Sequence, residues 1–361
     1  MARFNSLTAE DSEPPTALWW LILGVVTAAG VALPSFVGLD VVMSTSIIFV
    51  YAILALSMSY LWGFCGMLSF GQTAMYGVGG YTYAIVALNY GNTTIAFAAA
   101  IVLGSIVALI LGYFMIYGRI SKIYFTVITL VITVVLEKAV RATSDERFTI
   151  GSVPLRGQNG ISNVPDLQVP WDTSQTLFLD GVYYVALAAL LGVFVGLRLL
   201  LATHFGRVLM GIRDNERRAE LLGYDCRKYQ LGAFVLSGGI AALAGVLYGV
   251  WGNFVAPEMM NLNSAANIVI YAIVGGRATL AGPIMGTAIV QYLTSWLGTA
   301  GVGQVTVVLG TVLIVFVMIF PRGVLPTVGD LIGRLVRMGT GKRPKAKATD
   351  AQKAADGWRN A

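Results

Sequence analysis

Phe205-Gly-Arg-Val-Leu-Met-Gly-Ile-Arg-Asp-Asn-Glu-Arg-Arg-Ala-Glu-Leu-Leu-Gly223 is a polar, helix-forming stretch set between two long apolar runs, 181–203 and 230–252. The polar character continues to about Tyr229, with Arg207, Arg213, Arg217, Arg218, Arg227 and Lys228 balanced by Asp214, Glu216, Glu220 and Asp225. Each flanking run is long enough to span a bilayer, which takes about 20 apolar residues in a helix. A chain that keeps a well-made helix outside the bilayer between two spans has something there to touch it. Asp214 or Asn215 is placed to cap that helix, Glu216 falls in its first turn, and Gly223 ends it. Ala219, Leu221 and Leu222 would pack against a partner or against the bundle. The plainer alternative is a solvated helix resting on the membrane; the caps and mixed charges favour docking.

Composition agrees that lipid is the solvent. Of 361 residues, 57% are hydrophobic and 12% charged, with mean hydropathy +0.75. Soluble domains carry about 25% charged residues. Glycine is abundant, at 42 residues, as where membrane helices pack closely. Cys65 and Cys226 lie in unlike segments, so no disulfide framework is implied.

Apolar runs occur near 17–36, 42–62, 72–89, 94–117, 122–141, 181–203, 230–252, 264–275, 279–298 and 302–320. The expected fold is an all-α integral membrane protein, a polytopic bundle of about ten transmembrane helices with glycine-broken segments and pseudo-repeated halves. The 264–275 run is short for a span. The stretch 63–80 is interrupted by glycine and could be re-entrant, which requires burial in protein or a wet cavity. Residues 1–16 are polar and no cleavage site follows 17–36, so the first run reads as a retained helix. With 204–229 in the cytoplasm, alternation places all Lys and Arg inside except Lys138, Arg141, Arg147 and Arg156. That satisfies the positive-inside rule, with both termini cytoplasmic. The divisions are then a cytoplasmic segment 1–16, a membrane domain 17–320 with an outward loop 142–180, and a basic tail 321–361. The tail reads as disordered and set against anionic headgroups. The net charge of +6 reports topology, not nucleic-acid binding.

Several chemistries are excluded. No nucleophile stands with a base, and His204 is the single histidine, so neither catalysis nor a metal site is expected, and no cofactor. Gly339-Thr-Gly-Lys-Arg343 is not a phosphate loop, since Arg343 follows Lys342 where Ser or Thr is needed. A proton-coupled carrier would need an intramembrane carboxylate. Glu137 is the candidate, and with Lys138 and Arg141 beside it an ion pair is the better reading. No Asn-Pro occurs, which disfavours a channel built on paired Asn-Pro-Ala half-helices.

Two glycine-rich segments occupy comparable places in the two halves, Gly66 to Tyr81 and Val274 to Gly286. Interrupted segments so placed point to a translocation path; close helix packing is the alternative. Ser69, Gln72, Thr73, Tyr81 and Thr279 bring polar groups to them. Asn263, Asn267 and Tyr271 fall at i, i+4 and i+8, one helical face, where they would line a path or bond helix to helix.

Three blocks carry a family resemblance: Trp62-Gly-Phe-Cys-Gly-Met-Leu-Ser-Phe-Gly-Gln72 with Gly79-Gly-Tyr81; Phe205-Gly-Arg-Val to Arg213-Asp-Asn-Glu216 with Leu222-Gly-Tyr224; and Ile273-Val-Gly-Gly-Arg-Ala-Thr-Leu-Ala-Gly282 with Phe320-Pro-Arg-Gly-Val-Leu325. The chain resembles, from about 46 to 327, permease subunits of ABC importers of the branched-chain amino acid type, in the branch that includes urea and short-amide permeases. The resemblance implies a second permease, two cytoplasmic ABC ATPases and a periplasmic binding protein, in a bacterial inner membrane. It implies that the connector is a coupling loop seated on an ATPase, with Arg213, Asp214, Glu216, Arg217 and Gly223 as contacts. Branched-chain amino acids rank first as solute and urea or short amides second. A passive channel and a proton-coupled carrier stand as alternatives from other classes.

Overall fold

The computed structural model describes residues 17–299, apart from Glu146, Pro170, Trp171, Phe178 and Ala278, together with Gly310, Thr311, Ile314, Gly323, Val324 and Thr327. The expectations for 1–16, for the run 302–320 and for the basic tail fall outside the described residues, apart from those six.

Helices dominate. In chain order they are α1 (Ala17–Ala32), α2 (Leu39–Ser59), α3 (Gly71–Tyr90), α4 (Thr93–Tyr117), α5 (Lys122–Ala142), α6 (Leu179–Ala202), α7 (His204–Asp214), α8 (Glu216–Leu221), α9 (Cys226–Gly252), α10 (Leu262–Gly275) and α11 (Ala281–Thr299). Their bounds follow local signals. Asn92 caps α4, its side chain accepting from Ile95 N at 3.1 Å. Gly91, just before it, ends α3 in the left-handed region at φ +66°. Among the described residues, five helices are long and apolar enough to cross a membrane: α2 with its extension to Cys65, α4, α5, α6 from Gly181, and α9. This is a multi-pass, helical membrane protein.

Burial ranks the helices. Of the apolar stretch of α9, 78% is buried inside the protein, against 22% for α5. So α9 is the central post, packed against α3, α4 and α2. The exposed faces of α4 and α5 present Val102, Ile106, Ile110, Val127, Val131 and Val135 outward, which only lipid or another apolar surface can cover. α3 is missing from the five because it carries Gln72, Thr73 and Asn89 among its glycines. It does not need to be apolar, since thirteen of its 20 residues are buried by protein. Small residues let α3 and α9 touch: a Cβ on Gly79 would meet the Ala242 backbone, and one on Gly245 the Tyr76 carbonyl.

The loop between α5 and α6 is not bare coil. It forms short antiparallel ribbons, β1 (Thr149–Ile150) with β2 (Val153–Pro154) and β4 (Gln168–Val169) with β5 (Asp172–Thr176). Its β3 (Ile161–Ser162) pairs with β6 (Phe254–Val255) at the end of α9. Asn253 Nδ2 donates to Val164 O at 3.0 Å and to Asp166 Oδ1 at 2.8 Å, and Tyr83 Oη donates to Pro165 O at 2.9 Å. The loop is thereby a structured cap over that end of the bundle.

Candidate translocation path and coupling segment

The end of α2 organises the candidate site. Its last turn, Tyr60–Cys65, widens to π geometry, and Gly66 follows at φ +77°. Single π turns inside helical spans concentrate at functional sites. Residues 66–70 are then non-helical until α3 starts at Gly71. The glycine-broken stretch 63–80 is therefore not a re-entrant hairpin. The break is five residues long, and a full helix follows it.

Those five residues are half-buried or buried, so their backbone groups need partners. Helix α5 supplies them from three threonines on one face. Thr126 Oγ1 donates to Leu68 O at 2.9 Å, Phe70 N donates to Thr129 Oγ1 at 3.2 Å, and Thr133 Oγ1 donates to Phe70 O at 3.2 Å. This ladder was not foreseen; its spacing of i, i+3 and i+7 was the available signal.

Both other blocks of the resemblance reach the same turn. From the connector, Arg213 Nη1 donates to Gly63 O at 2.8 Å while Nη2 pairs with Asp214 Oδ1 at 2.8 Å. A Cβ on Gly66 would stand 2.8 Å from Arg213 Cγ, so glycine is needed there twice, for φ and for space. From the second glycine-rich segment, the Arg277 guanidinium lies 5.1 Å from the centre of the Trp62 ring, and Ser59 Oγ donates to Arg277 O at 3.2 Å. In that second segment α10 ends at Gly275, Gly276 takes φ +113°, and Thr279 Oγ1 accepts from Gly282 N at 3.1 Å to start α11. Gly323, from the Phe320-Pro-Arg-Gly block, packs its backbone on Gly276.

The candidate path residues divide. Ser69 Oγ accepts from Gly71 N at 3.1 Å and Thr73 Oγ1 donates to Phe70 O at 2.8 Å, so both hydroxyls serve the backbone. Gln72 is 1% exposed and neither amide atom has a hydrogen-bond partner among the described residues; the Tyr76 and Tyr81 hydroxyls are likewise unpartnered. A buried polar group left in this way is costly. Tyr271 joins a chain of rings from four helices: Tyr271 to Tyr51 at 6.2 Å, Tyr51 to Tyr248 at 6.2 Å, and Tyr248 to Tyr76 at 5.6 Å. Tyr76 lies one turn from Gln72, so the ring chain and the unpartnered amide share one face of α3. Asn263 and Asn267 do not join them; they are exposed while Tyr271 is buried. Sequence reading missed Tyr76 and Tyr248; a tyrosine at i+4 from Gln72 was the available signal. At the cap end, Glu137 pairs with Arg141 at 2.8 Å, and Arg141 with Glu258 at 2.6 Å.

The connector residues divide too. Asn215 takes the cap of α8, accepting from Arg218 N at 2.9 Å, and Gly223 closes it at φ +87°. Glu216 pairs with Lys122 at 3.4 Å and accepts from Gln230 Nε2 at 3.0 Å, which ties α8 to α5 and α9. The Arg213 side chain is only 17% exposed and points inward to the break. Asp214, Arg217 and Gly223 are exposed. Ala219 packs into the bundle, whereas Leu221 and Leu222 stand out at 79% and 72% exposed. Two adjacent leucines this exposed offer an apolar contact to a partner.

The model of a family described as "Branched-chain amino acid transport system / permease component" matches residues 41–320. The chain is 25% identical to the high-affinity branched-chain amino acid transport system permease protein LivM of Escherichia coli (strain K12), over 85% of this chain and 75% of that protein. Two proteins of Methanocaldococcus jannaschii are also similar. Its probable branched-chain amino acid transport permease protein LivM is 24% identical over 65% of this chain and 75% of its own length. Its probable LivH is 30% identical over 40% of this chain and 48% of its own length. No solved structure matches.

Proposed function

This chain belongs to the family of branched-chain amino acid transport permease components, and on that premise we propose that branched-chain or related amino acids are its solutes. It is a transport subunit of the inner membrane and not an enzyme; ATP hydrolysis belongs to separate ATPase subunits in these systems. A second permease pairs with it, two cytoplasmic ABC ATPases drive it, and a periplasmic binding protein delivers the solute. That one organism holds both a LivM and a LivH, each similar to this chain, supports a paired permease. The span 302–320 completes ten membrane helices in pseudo-repeated halves, with both termini in the cytoplasm. The connector 204–229 is the coupling loop and 142–180 the periplasmic loop. Anionic lipid meets the basic tail.

The observation that carries the mechanism is Arg213 holding Gly63 O at 2.8 Å. Leu221 and Leu222 at the end of α8, with Asp214 at the end of α7, form the surface that seats on an ATPase, and Arg217 stands beside it on the rim of a cavity. Arg213 and Glu216 face inward and pass its movement on, the first to the π turn and the second to α5. Closure of the ATPases on ATP shifts α8, Arg213 pulls on the turn at Gly63–Gly66, and α3 moves with its unpartnered Gln72 and Tyr76. The path then opens along Gln72, Tyr76 and Tyr271, with Tyr81 toward the periplasm, giving alternating access.

Glu137, the one carboxylate a proton-coupled carrier would use, is committed to Arg141. A passive channel leaves the exposed leucines of α8 without a purpose. The names of the relatives support an amino acid over urea. The test is uptake of labelled leucine and labelled urea into vesicles holding this chain with its partner permease and ATPases. ATP-dependent leucine uptake that needs the binding protein is expected. Uptake indifferent to ATP and binding protein would overturn the importer, and preference for urea would overturn the solute.

A further inference from the structure

Between the α4–α5 turn and the connector lies a cavity of about 480 Å³. Its floor is apolar, with Met67, Ile116 and Phe125 buried beneath it. Its rim carries four cations, Arg119, Lys122, Arg217 and Arg227, and two carboxylates, Glu216 and Glu220. Lys122 and Glu216 neutralise one another at 3.4 Å. Arg119, Arg217 and Arg227 form no ion pair among the described residues, and Glu220 is the only carboxylate of this lining left to set against them. The cavity is therefore electropositive above and apolar below.

Its depth is marked independently. Tyr113, Phe114 and Tyr124 are 52%, 70% and 67% exposed at the ends of α4 and α5 that flank it. Arg227 lies 5.9 Å from the centre of the Tyr117 ring at the same level. Amphipathic rings such as Tyr113 and Tyr124 gathered at span ends mark the headgroup layer. Arg119 also holds a left-handed backbone at φ +54° immediately after Gly118. Such strain in a non-glycine residue gathers at ligand clamps.

We propose that this cavity binds the phosphodiester headgroup of an anionic phospholipid. Arg119, Arg217 and Arg227 donate to the phosphate oxygens, a geometry guanidinium forks match. The apolar floor takes the glycerol and the first methylenes of the chains. A free phosphate shares the first chemistry but has no use for the floor. One consequence rests on the coupling role given to α8 above: because Arg217 belongs to α8 and Arg119 to the α4–α5 turn, a bound headgroup holds the two together.

The test is native mass spectrometry of the assembled transporter from nanodiscs of phosphatidylglycerol mixed with phosphatidylcholine. The double variant Arg119→Gln/Arg227→Gln is compared with wild type and with Lys138→Gln, which removes a cation at the opposite end. Wild type and Lys138→Gln should retain phosphatidylglycerol that the double variant loses about tenfold. Should the double variant not assemble, Arg227→Lys alone should weaken retention while keeping charge. Equal retention by wild type and the arginine variants would overturn the site. Displacement of the lipid by inorganic phosphate alone would overturn its assignment to a lipid. Loss of retention without any change in lipid-dependent ATPase stimulation would sink the link to α8 and leave the site standing.

Discussion

The two glycine-rich breaks look alike in sequence and are built on different principles. The first, residues 66–70, is sustained from outside: three threonines of α5 satisfy its backbone, and Arg213 of the connector grips the turn before it. The second, residues 276–280, is tied to α2 through Ser59 and Trp62 at Arg277, but its turn is closed by its own atoms. Thr279 bonds its own neighbours, and its flanking glycines are spent on contact, since a Cβ on Gly275 would land on the Gly282 carbonyl and one on Gly286 on the Tyr271 carbonyl. A break held by other elements moves when they move. One held by its own atoms is a fixed corner. The comparison assigns motion to α3 and anchorage to the α10–α11 pair.

The largest expected effect tests the fixed corner. Gly275→Val forces two helix backbones apart, and overpacking of this kind costs about 3 kcal/mol or more. Little folded transporter should survive, seen as loss of the monodisperse peak in detergent. A variant that folds and transports would show that the corner has slack. Next comes the linked break. Arg213→Ala should cut leucine transport about tenfold, the loss of one charge-assisted bond that acts in the cycle. Basal ATPase activity should persist, no longer stimulated by the loaded binding protein. The double variant Leu221→Ser/Leu222→Ser should give the same uncoupling with little change in melting temperature, because those side chains are 79% and 72% exposed. Unaltered coupling in either variant would break the chain of contacts from α8 to Gly63.

Much of this was legible in the sequence. Among the described residues, helices fall within a few residues of the apolar runs from 17–36 to 279–298, because lipid demands length and composition and both can be counted. Capping chemistry offers Asp214 or Asn215 as the start of the connector helix and Gly223 as its end; the structure takes Asn215 and adds a separate helix, α7, before it. What escaped was direction. Arg213 and Arg217 are both arginines of one charged stretch, yet Arg213 reaches the turn at Gly63 and Arg217 stands exposed on the rim of the cavity beside α5; four residues apart on a continuous helix they would share a face, but Asn215 breaks the helix between them. Thr126, Thr129 and Thr133 read as ordinary span hydroxyls, since nothing local says that a broken backbone lies against them. Strand β3 of the cap escaped because it exists only through pairing with a distant partner, β6. Asn263 and Asn267 share a face with Tyr271 by spacing, but burial changes along α10 from its exposed start to its covered end.

The threonine ladder gives a smaller effect that sharpens the contrast. Thr129→Val keeps the shape and removes the acceptor for Phe70 N. A buried donor without a partner costs about 1–3 kcal/mol. The melting temperature should fall and transport should drop a few-fold, with coupling retained. Thr126→Val should cost less, because Leu68 O keeps a second lone pair for other donors. Equal costs would mean that the ladder acts as one unit.

The smallest effect belongs to Thr279. Its hydroxyl bonds Gly282 N and Gly276 O, within its own turn, so Thr279→Ala removes a helix cap worth about 1 kcal/mol. No element outside the corner depends on that hydroxyl. Stability should fall slightly, while leucine uptake and ATPase stimulation stay at wild-type levels. If Thr279→Ala instead uncouples the transporter as Arg213→Ala does, the second break is also a moving part. Arg277, which stacks on Trp62 and whose carbonyl receives Ser59, would then be the element that joins the two breaks into one hinge.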